Sequence, residues 1–224
     1  MSTTRWAVGS ALVLVTLGFA VYYSWPSKRE RADRLIWEAE QGLSKGDKNE
    51  NTRLLEDAAR LDPSNPRVWW KLCEGYQFTG ELNLAVAACH RNIELHPSPL
   101  SYNSLGLVYL DQKDYFESAK TFEIAAQNSE DPDIYKNLVW ALLVSRQYEK
   151  ALPAAQRLAD ISAPDPANQG SAYQLLGIIY LKLGQKAKAE ESFDKLRKLN
   201  PDWNYRTCEL TTDNKNNVHL VCHN

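Results

Sequence analysis

Residues 173–201, YQLLGIIYLKLGQKAKAEESFDKLRKLNP, decide the fold of this chain. Their apolar residues recur three and four positions apart in two runs, with a break at Gly184 between them. Apolar residues at this spacing lie on one face of a helix, and a glycine between two such runs interrupts the helix. The stretch therefore predicts two helices joined by a short turn, which is a helical hairpin.

The same arrangement occurs three more times upstream, with successive units 33 to 38 residues apart, and a fifth time in a weaker form. Each unit has an aromatic residue, a leucine followed by a small residue or a hydrophobe, a second aromatic residue or leucine, and then small or apolar residues. The clear units contain Trp69, Leu72, Cys73, Tyr76, Ala85 and Cys89; Tyr102, Leu105, Gly106, Tyr109, Ser118 and Phe122; Tyr135, Leu138, Val139, Leu142, Ala151 and Ala155; and Tyr173, Leu176, Gly177, Tyr180, Ala189 and Phe193. The weak first unit contains Leu35, Ala39, Leu55 and Ala58. One hairpin cannot bury its apolar face alone, so the repetition predicts a stacked array.

These residues resemble the tetratricopeptide (TPR) repeat family, and the resemblance covers about residues 30–201. It implies an all-α, right-handed superhelix of about five helical hairpins. The solenoid is placed at residues 27–203, with units at about 32–65, 66–98, 99–131, 132–164 and 170–203. Small residues such as Gly106 and Gly177 are expected where two helices approach closely. A helical bundle that repeats by chance is the alternative, which four matching registers disfavour.

The resemblance also implies a concave groove that binds peptides or protein segments. Its lining, carried over position by position, is Ile36 and Glu40; Trp70, Glu74 and Gln77; Asn103, Leu107 and Leu110; Lys136, Trp140 and Leu143; and Gln174, Ile178 and Leu181. Family members that capture a C-terminal carboxylate use Lys and Asn where this chain has Trp70 and Glu74. The groove is therefore expected to suit an amphipathic helix or an extended apolar peptide, unless Trp70 and Trp140 pack inside the solenoid.

An uncharged N-terminal segment, residues 6–25 (WAVGSALVLVTLGFAVYYSW), has the length that spans a bilayer. Aromatic residues lie at both ends, as is typical of membrane interfaces, and Pro26 ends the segment. After a tail of residues 1–5, residues 6–26 are therefore predicted to form a transmembrane anchor that contacts the lipid bilayer through residues 6–25. A cleavable signal peptide is the alternative, and the lack of a small-residue cleavage site disfavours it.

The side of the membrane on which the repeats lie is predicted differently by two signals. One basic residue precedes the anchor and four follow it at positions 28, 29, 31 and 34, which favours a cytoplasmic repeat domain. The four cysteines favour an oxidising compartment if they pair. We prefer an exported, periplasmic repeat domain in a single-pass membrane protein, with the cytoplasmic-facing arrangement as the alternative.

The cysteines form two candidate pairs. Cys73 and Cys89 lie at facing positions of one hairpin, where they either form a disulfide or only fill small-residue positions. Cys208 and Cys222 flank a turn-like cluster at residues 213–217, which predicts a β-hairpin with a cross-strand disulfide in the C-terminal tail, residues 204–224. Zinc is not expected there, because neighbouring residues of a strand, such as Cys222 and His223, point to opposite faces.

Composition narrows the function classes. With 26 basic and 28 acidic residues the net charge is −2, which argues against nucleic acid as a partner. No phosphate-binding glycine motif and no catalytic motif occurs, so no cofactor, metal, small-molecule substrate or enzymatic activity is expected. The sequence predicts a membrane-anchored scaffold that binds segments of other envelope or membrane proteins and supports assembly of a complex. The alternatives are a permanent structural subunit held through its transmembrane helix, and an organelle import receptor with cytosolic repeats.

Overall fold

Ten helices form the described part of the solenoid. The computed structural model describes residues 26–43, 48–163, 165–201, 207–212 and 218–223. The helices are α1 (Lys28–Leu43), α2 (Lys48–Leu61), α3 (Pro66–Thr79), α4 (Leu82–Leu95), α5 (Pro99–Asp111), α6 (Tyr115–Ala126), α7 (Pro132–Val144), α8 (Tyr148–Ile161), α9 (Pro166–Lys182) and α10 (Lys186–Leu199). Consecutive helices pack as five hairpins, which we number 1 to 5, and neighbouring hairpins stack against one another in a continuous array.

The first helices of hairpins 2 to 5 begin with the same local structure. Asn65, Ser98, Asp131 and Asp165 each accept a backbone N–H with their side chain, and a proline fills the next position. A short polar side chain satisfies one of the free N–H groups at a helix start, and proline lacks the N–H that would remain unpaired. Each of these four helices therefore has a well-defined first residue.

The turns inside hairpins 2 to 5 share a left-handed backbone residue. Gly80 and Gly184 have φ values of 84° and 72°, whereas Lys113 and Arg146 adopt φ values of 63° and 60° at the corresponding places. Glycine adopts this conformation freely, but a residue with a Cβ is strained in it. The turn geometry is therefore retained in hairpins 3 and 4 at a cost in stability.

The two helices of a hairpin approach most closely at the predicted small residues. A Cβ added to Gly106 would lie 2.6 Å from the ring of Phe122, and one added to Gly177 would lie 2.2 Å from the ring of Phe193. Both rings are fully buried. In hairpin 3, Ser118 Oγ also donates to the carbonyl of Gly106 at 2.8 Å. The prediction that Gly106 and Gly177 allow close helix approach is confirmed.

The core runs through the stack as two clusters of buried apolar residues. One joins hairpins 1 and 2 to the first helix of hairpin 3, and the other extends from the second helix of hairpin 3 to hairpin 5. Ion pairs link neighbouring hairpins at the surface, namely Glu40 with Arg67, Glu123 with Lys150 and Glu130 with Arg157. Exposed pairs of this kind contribute little, so the shared apolar core holds the array together.

Two short strands follow the solenoid, β1 (Thr207–Thr212) and β2 (Val218–His223). They pair antiparallel in a register that places Cys208 opposite Cys222. This is the register that the predicted cross-strand disulfide requires. The side chains of both strands, and residues 213–217 between them, lie outside the described part of the chain.

None of the helices within the described ranges combines the length and the apolar character needed to cross a bilayer. Residues 1–25, which contain the predicted tail and nearly all of the predicted anchor, lie outside those ranges. The chain enters α1 through Pro26 and Ser27, where Ser27 N donates to Glu30 Oε2 at 2.6 Å and Glu30 N donates to Ser27 Oγ at 3.1 Å. This reciprocal capping box fixes the start of the solenoid.

Candidate functional site

The first helices of successive hairpins 2 to 5, namely α3, α5, α7 and α9, contact one another along the stack. The surface that they present at the predicted groove positions is called the inner face below. Its exposed or half-buried predicted members are Trp70, Glu74, Gln77, Asn103, Leu107, Leu110, Lys136, Trp140, Gln174 and Leu181. The structure thus brings these residues, which are spread over more than 110 positions of sequence, onto four adjacent helices.

Three predicted groove residues do not present a surface to a partner. Ile36, Leu143 and Ile178 are at most 1% exposed and belong to the buried core. A helix in a stacked array packs against neighbours on both sides, so its buried stripe is wider than the repeat pattern alone suggests. This corrects the predicted lining, because these three side chains support the wall of the groove from within.

Hydrogen bonds one repeat apart connect the inner helices. Trp70 Nε1 donates to Ser104 Oγ at 3.3 Å and Gln77 Nε2 donates to Asp111 Oδ2 at 2.7 Å, both between α3 and α5. Asn137 Nδ2 donates to Asn103 Oδ1 at 3.1 Å between α7 and α5. Each pair is separated by 34 residues, so the repeat itself sets the contact. These bonds fix the spacing of the inner helices across hairpins 2 to 4.

The N-terminal end of the inner face carries paired charges around a tryptophan. Lys71 Nζ lies 4.2 Å from the ring centroid of Trp70 and 3.0 Å from Glu74 Oε2. A cation over an indole face is attracted by the negative π surface. Lys71 and Glu74 therefore neutralise each other beside Trp70, and this end of the surface offers an aromatic edge next to the Asp111 carboxylate that Gln77 binds.

The middle and C-terminal parts of the inner face are apolar. Leu107, Leu110 and Trp140 are partly buried and pack against the second core cluster, and Leu181 is 37% exposed. Lys136 is the charged member there and pairs with Asp133 of its own helix. Trp140 was expected either to line the groove or to pack inside the solenoid. It does both in part, because it contacts the core and leaves part of its ring at the surface.

The pKa values of two tyrosines, Tyr76 and Tyr109, are raised by their packing. Burial raises the pKa of Tyr76, and the hydrogen bond that its hydroxyl donates to Glu56 Oε1 at 2.8 Å raises it further. Burial likewise raises the pKa of Tyr109. Both shifts move the group away from neutral pH and from any role in proton transfer there. Within the described ranges, no three His, Cys, Asp or Glu side chains are grouped as metal ligands would be.

The cysteines of hairpin 2 are joined. Cys73 and Cys89 form a disulfide, with Cα atoms 5.1 Å apart, and both are 1% exposed. They occupy the positions held by Gly177 and Phe193 in hairpin 5. The sequence allowed either a disulfide or two free cysteines that fill small-residue positions, and the structure has the disulfide.

Sequence reasoning missed several residues of the inner face. Ser104, Asp111 and Asn137 accept or donate the bonds that connect its helices, and Phe78 is 59% exposed beside it. A search for polar residues 34 positions apart would have found the three bonded pairs. Phe78 carries no such signal, because an exposed aromatic residue is not distinguished from a buried one by spacing alone.

Comparisons with known proteins agree with this geometry. Two family models, each described as a tetratricopeptide repeat, match residues 103–166 and 170–203. Cilia- and flagella-associated protein 70 of Homo sapiens is 29% identical over 154 residues, which is 65% of this chain. The match covers only 13% of that human protein.

Solved structures share the fold. MamA from Desulfovibrio magneticus RS-1 aligns with a TM-score of 0.67 and 22% identity, over 78% of this chain and 98% of that one. YrrB, described as a TPR protein with an unusual peptide-binding site, aligns with a TM-score of 0.63 and 18% identity, over 75% of this chain and 86% of that one. At these identities the likeness concerns the arrangement of helices alone.

Proposed function

We propose, on the premise that this chain carries tetratricopeptide repeats, that it is a non-catalytic scaffold whose inner face binds a segment of another protein. One observation carries the proposal: Leu107, Leu110, Trp140 and Leu181 present apolar surface along adjacent inner helices, and Lys136 among them is paired. Clustered apolar surface with a tryptophan is typical of binding sites. The peptide-binding site named for YrrB, which has the same fold, makes a peptide-like partner reasonable.

The bound segment should be apolar on the side that meets the scaffold. The charges near Trp70 are already compensated, and the surface has no basic clamp for a terminal carboxylate. An amphipathic helix or an extended apolar segment fits such a surface. Recognition would depend on shape and on a few polar side chains, chiefly Gln77, Asn103 and Gln174.

The finer part of the proposal is a single-pass membrane scaffold that supports assembly of a complex of envelope or membrane proteins. Residues 6–25 have the length and composition of a membrane span. Confinement to a bilayer raises the effective concentration of membrane partners, so a modest affinity of the inner face is sufficient. The disulfide between Cys73 and Cys89 supports export to an oxidising compartment, since such bonds are rare in reducing ones.

Co-purification of the full chain in mild detergent tests the binding role. Trp70→Ala combined with Trp140→Ala should release the partners, while Phe116→Ala combined with Ile124→Ala, on the outer helix α6, should retain them. Leu181→Asp is a second inner-face variant at an exposed site, which guards against misfolding of the tryptophan variant. Retention of every partner by both inner-face variants, together with release on substitution within residues 6–25, would favour a permanent subunit held through its anchor.

Thiol trapping tests the compartment separately. Cells are quenched with acid, and free thiols are then alkylated in denaturant so that each cysteine is scored by mass spectrometry. The proposal expects Cys73, Cys89, Cys208 and Cys222 to be protected until a reductant is added. Full reactivity of all four without reductant would contradict export and favour repeats that face the cytosol.

A further inference from the structure

A cavity of about 210 Å³ opens between hairpin 1 and α3, at the N-terminal end of the inner face. Its walls are Ala39 and Glu40 of α1, Asn51, Thr52 and Leu55 of α2, and Lys71, Glu74, Gly75 and Phe78 of α3. An engineered apolar cavity of roughly 150 Å³ accepts benzene, so this volume is enough for one leucine or phenylalanine side chain. The cavity is mostly apolar, with Phe78 exposed at its edge.

One polar group in the wall lacks a partner. Asn51 is 4% exposed, and its Nδ2 is buried without a hydrogen-bond acceptor among the described residues. An unpaired buried donor destabilises the fold and calls for an explanation. Rotation of the amide about its Cβ–Cγ bond would turn Nδ2 toward the cavity, where a ligand that supplies an acceptor oxygen would satisfy it.

The repeat register makes Asn51 unusual. The corresponding position holds Ala85, Ser118, Ala151 and Ala189 in hairpins 2 to 5. In hairpin 3 the Ser118 hydroxyl uses its place to donate to the carbonyl of Gly106. Hairpin 1 thus places a longer amide where the repeat favours a small residue, and it does so beside the cavity.

The charges around the cavity are already paired. Lys71 Nζ lies 3.0 Å from Glu74 Oε2, and Glu40 accepts from Arg67 Nη2 at 2.8 Å. A charged ligand would have to displace one of these partners. The cavity therefore favours a neutral occupant with an apolar body and an acceptor oxygen, which is what one residue of a peptide chain provides.

We propose that this cavity binds one leucine- or phenylalanine-sized side chain of a partner protein segment, and that the Asn51 amide turns toward the cavity so that its Nδ2 donates to a backbone carbonyl of that segment. The inference rests on the proposed function and assigns it an anchor point. The segment enters beside Phe78, seats one apolar residue between α1, α2 and α3, and continues along the inner face past Trp70. Glu74 lines both the cavity and the inner face, so the two surfaces are continuous.

The direct test uses N-acetyl-leucine methylamide as the probe and N-acetyl-glycine methylamide as the matched control. The full chain, labelled with ¹⁵N-asparagine and held in phospholipid nanodiscs, is titrated while the side-chain amide resonance of Asn51 is followed. Asn51→Ala identifies that resonance by its loss. We expect a saturable shift with the leucine compound and at least tenfold weaker binding of the glycine compound. No shift, or equal shifts with both compounds, overturns the inference.

Asn51→Leu tests whether the amide lacks a partner in the protein itself. Because leucine has the same branched shape and no polar atom to leave unpaired, this variant should raise the thermal midpoint. A lowered midpoint means that the amide is already satisfied, which overturns the inference. Asn51→Ala carries the residue found in hairpins 2, 4 and 5, so it replaces Asn51→Leu in the partner-capture experiment if leucine does not fit.

Partner capture separates the two proposals. Reduced capture by Asn51→Leu, with the inner-face double variant also releasing partners, supports the cavity as an anchor point. Full capture by Asn51→Leu, with release by Trp70→Ala and Trp140→Ala, overturns the cavity inference and leaves the proposed function intact. Full capture by all these variants overturns both.

Discussion

Hairpins 2 and 5 join their two helices at the same repeat positions, but the residues that make the contact differ. In hairpin 5 the backbone at Gly177 lies against the buried ring of Phe193, whereas in hairpin 2 the corresponding residues, Cys73 and Cys89, are joined by a disulfide. The ring stabilises the folded state by burial, and the disulfide acts mainly by restricting the unfolded chain. The repeat thus fixes where two helices meet and leaves open how the contact is made, which gives only hairpin 2 a dependence on redox conditions.

The largest effect is expected from Phe193→Ala. Removing a fully buried ring leaves a cavity in hairpin 5, which should lower the free energy of unfolding by about 3–5 kcal/mol. Urea denaturation followed by circular dichroism measures the loss. Phe116→Ala is the matched control, because that ring is 63% exposed and its loss should change stability by less than about 0.5 kcal/mol. Equal losses in the two variants would contradict the assigned core.

Replacing both cysteines of hairpin 2 by alanine should have the next largest effect. The disulfide joins residues 16 positions apart, and a bond closing a loop of that size contributes about 3 kcal/mol. Circular dichroism follows unfolding of the helices with and without dithiothreitol: reductant should destabilise the helices of the natural chain and leave those of the double variant unchanged, because its remaining cysteines, Cys208 and Cys222, lie outside the solenoid. A natural chain that is insensitive to reductant would remove the contrast between hairpins 2 and 5.

Placing the contact residues of hairpin 5 in hairpin 2 tests this comparison directly. Cys73→Gly with Cys89→Phe would give hairpin 2 the residues of hairpin 5. We expect this variant to be more stable than the double alanine variant and to be insensitive to reductant, because the ring fills the space between the helices. If it is less stable than the double alanine variant, the two hairpins differ in backbone spacing and not only in side chains.

Gly177→Ala should lower the free energy of unfolding by about 1–3 kcal/mol, because the added Cβ overlaps the buried ring of Phe193. The overlap follows from the 2.2 Å separation between an ideal Cβ and Phe193. In the Phe193→Ala background the same substitution should cost far less, since hairpin 4 already pairs Val139 with Ala155 at these positions. A double-mutant cycle measures the difference, and strictly additive losses would show that the two sites do not touch.

The smallest effect concerns the turns. Lys113→Gly and Arg146→Gly should each raise the free energy of unfolding by about 0.5 kcal/mol, because glycine relieves the left-handed backbone but loses more freedom on folding. Gly80→Ala should lower it by about 1 kcal/mol, since nothing lies within 4 Å of the added Cβ and only the backbone is affected. If the turns share one geometry, the free energy of unfolding must rise in the two variants that gain a glycine and fall in Gly80→Ala.

The repeat register predicted much of the fold because it is a packing pattern. Gly106 and Gly177 lie where the sequence placed them, against Phe122 and Phe193, since close helix approach leaves a visible signature of small residues. The inner face was predicted less well. Ile36, Leu143 and Ile178 share the spacing of surface positions but are buried, because burial depends on the neighbouring hairpin and not on the residue's own helix.

The cavity beside Asn51 was not predictable from the repeat pattern. The sequence marks position 51 only as a poor match to a small-residue position, and a mismatch of that kind usually means a weak repeat. The cavity exists because α3 packs next to hairpin 1, and Gly75 of α3 forms part of its wall. The cavity depends on how two hairpins pack against each other, whereas the repeat register describes one hairpin at a time.

Site-specific photo-crosslinking in cells tests the central claim, that the inner face is the surface that binds a partner. Benzoylphenylalanine is placed at Leu181 on the inner face or at Phe116 on α6, where both natural side chains are exposed. The account predicts a discrete crosslinked product from position 181, its loss in the Trp70→Ala and Trp140→Ala background, and none from position 116. A product from position 116 with none from position 181 would contradict it.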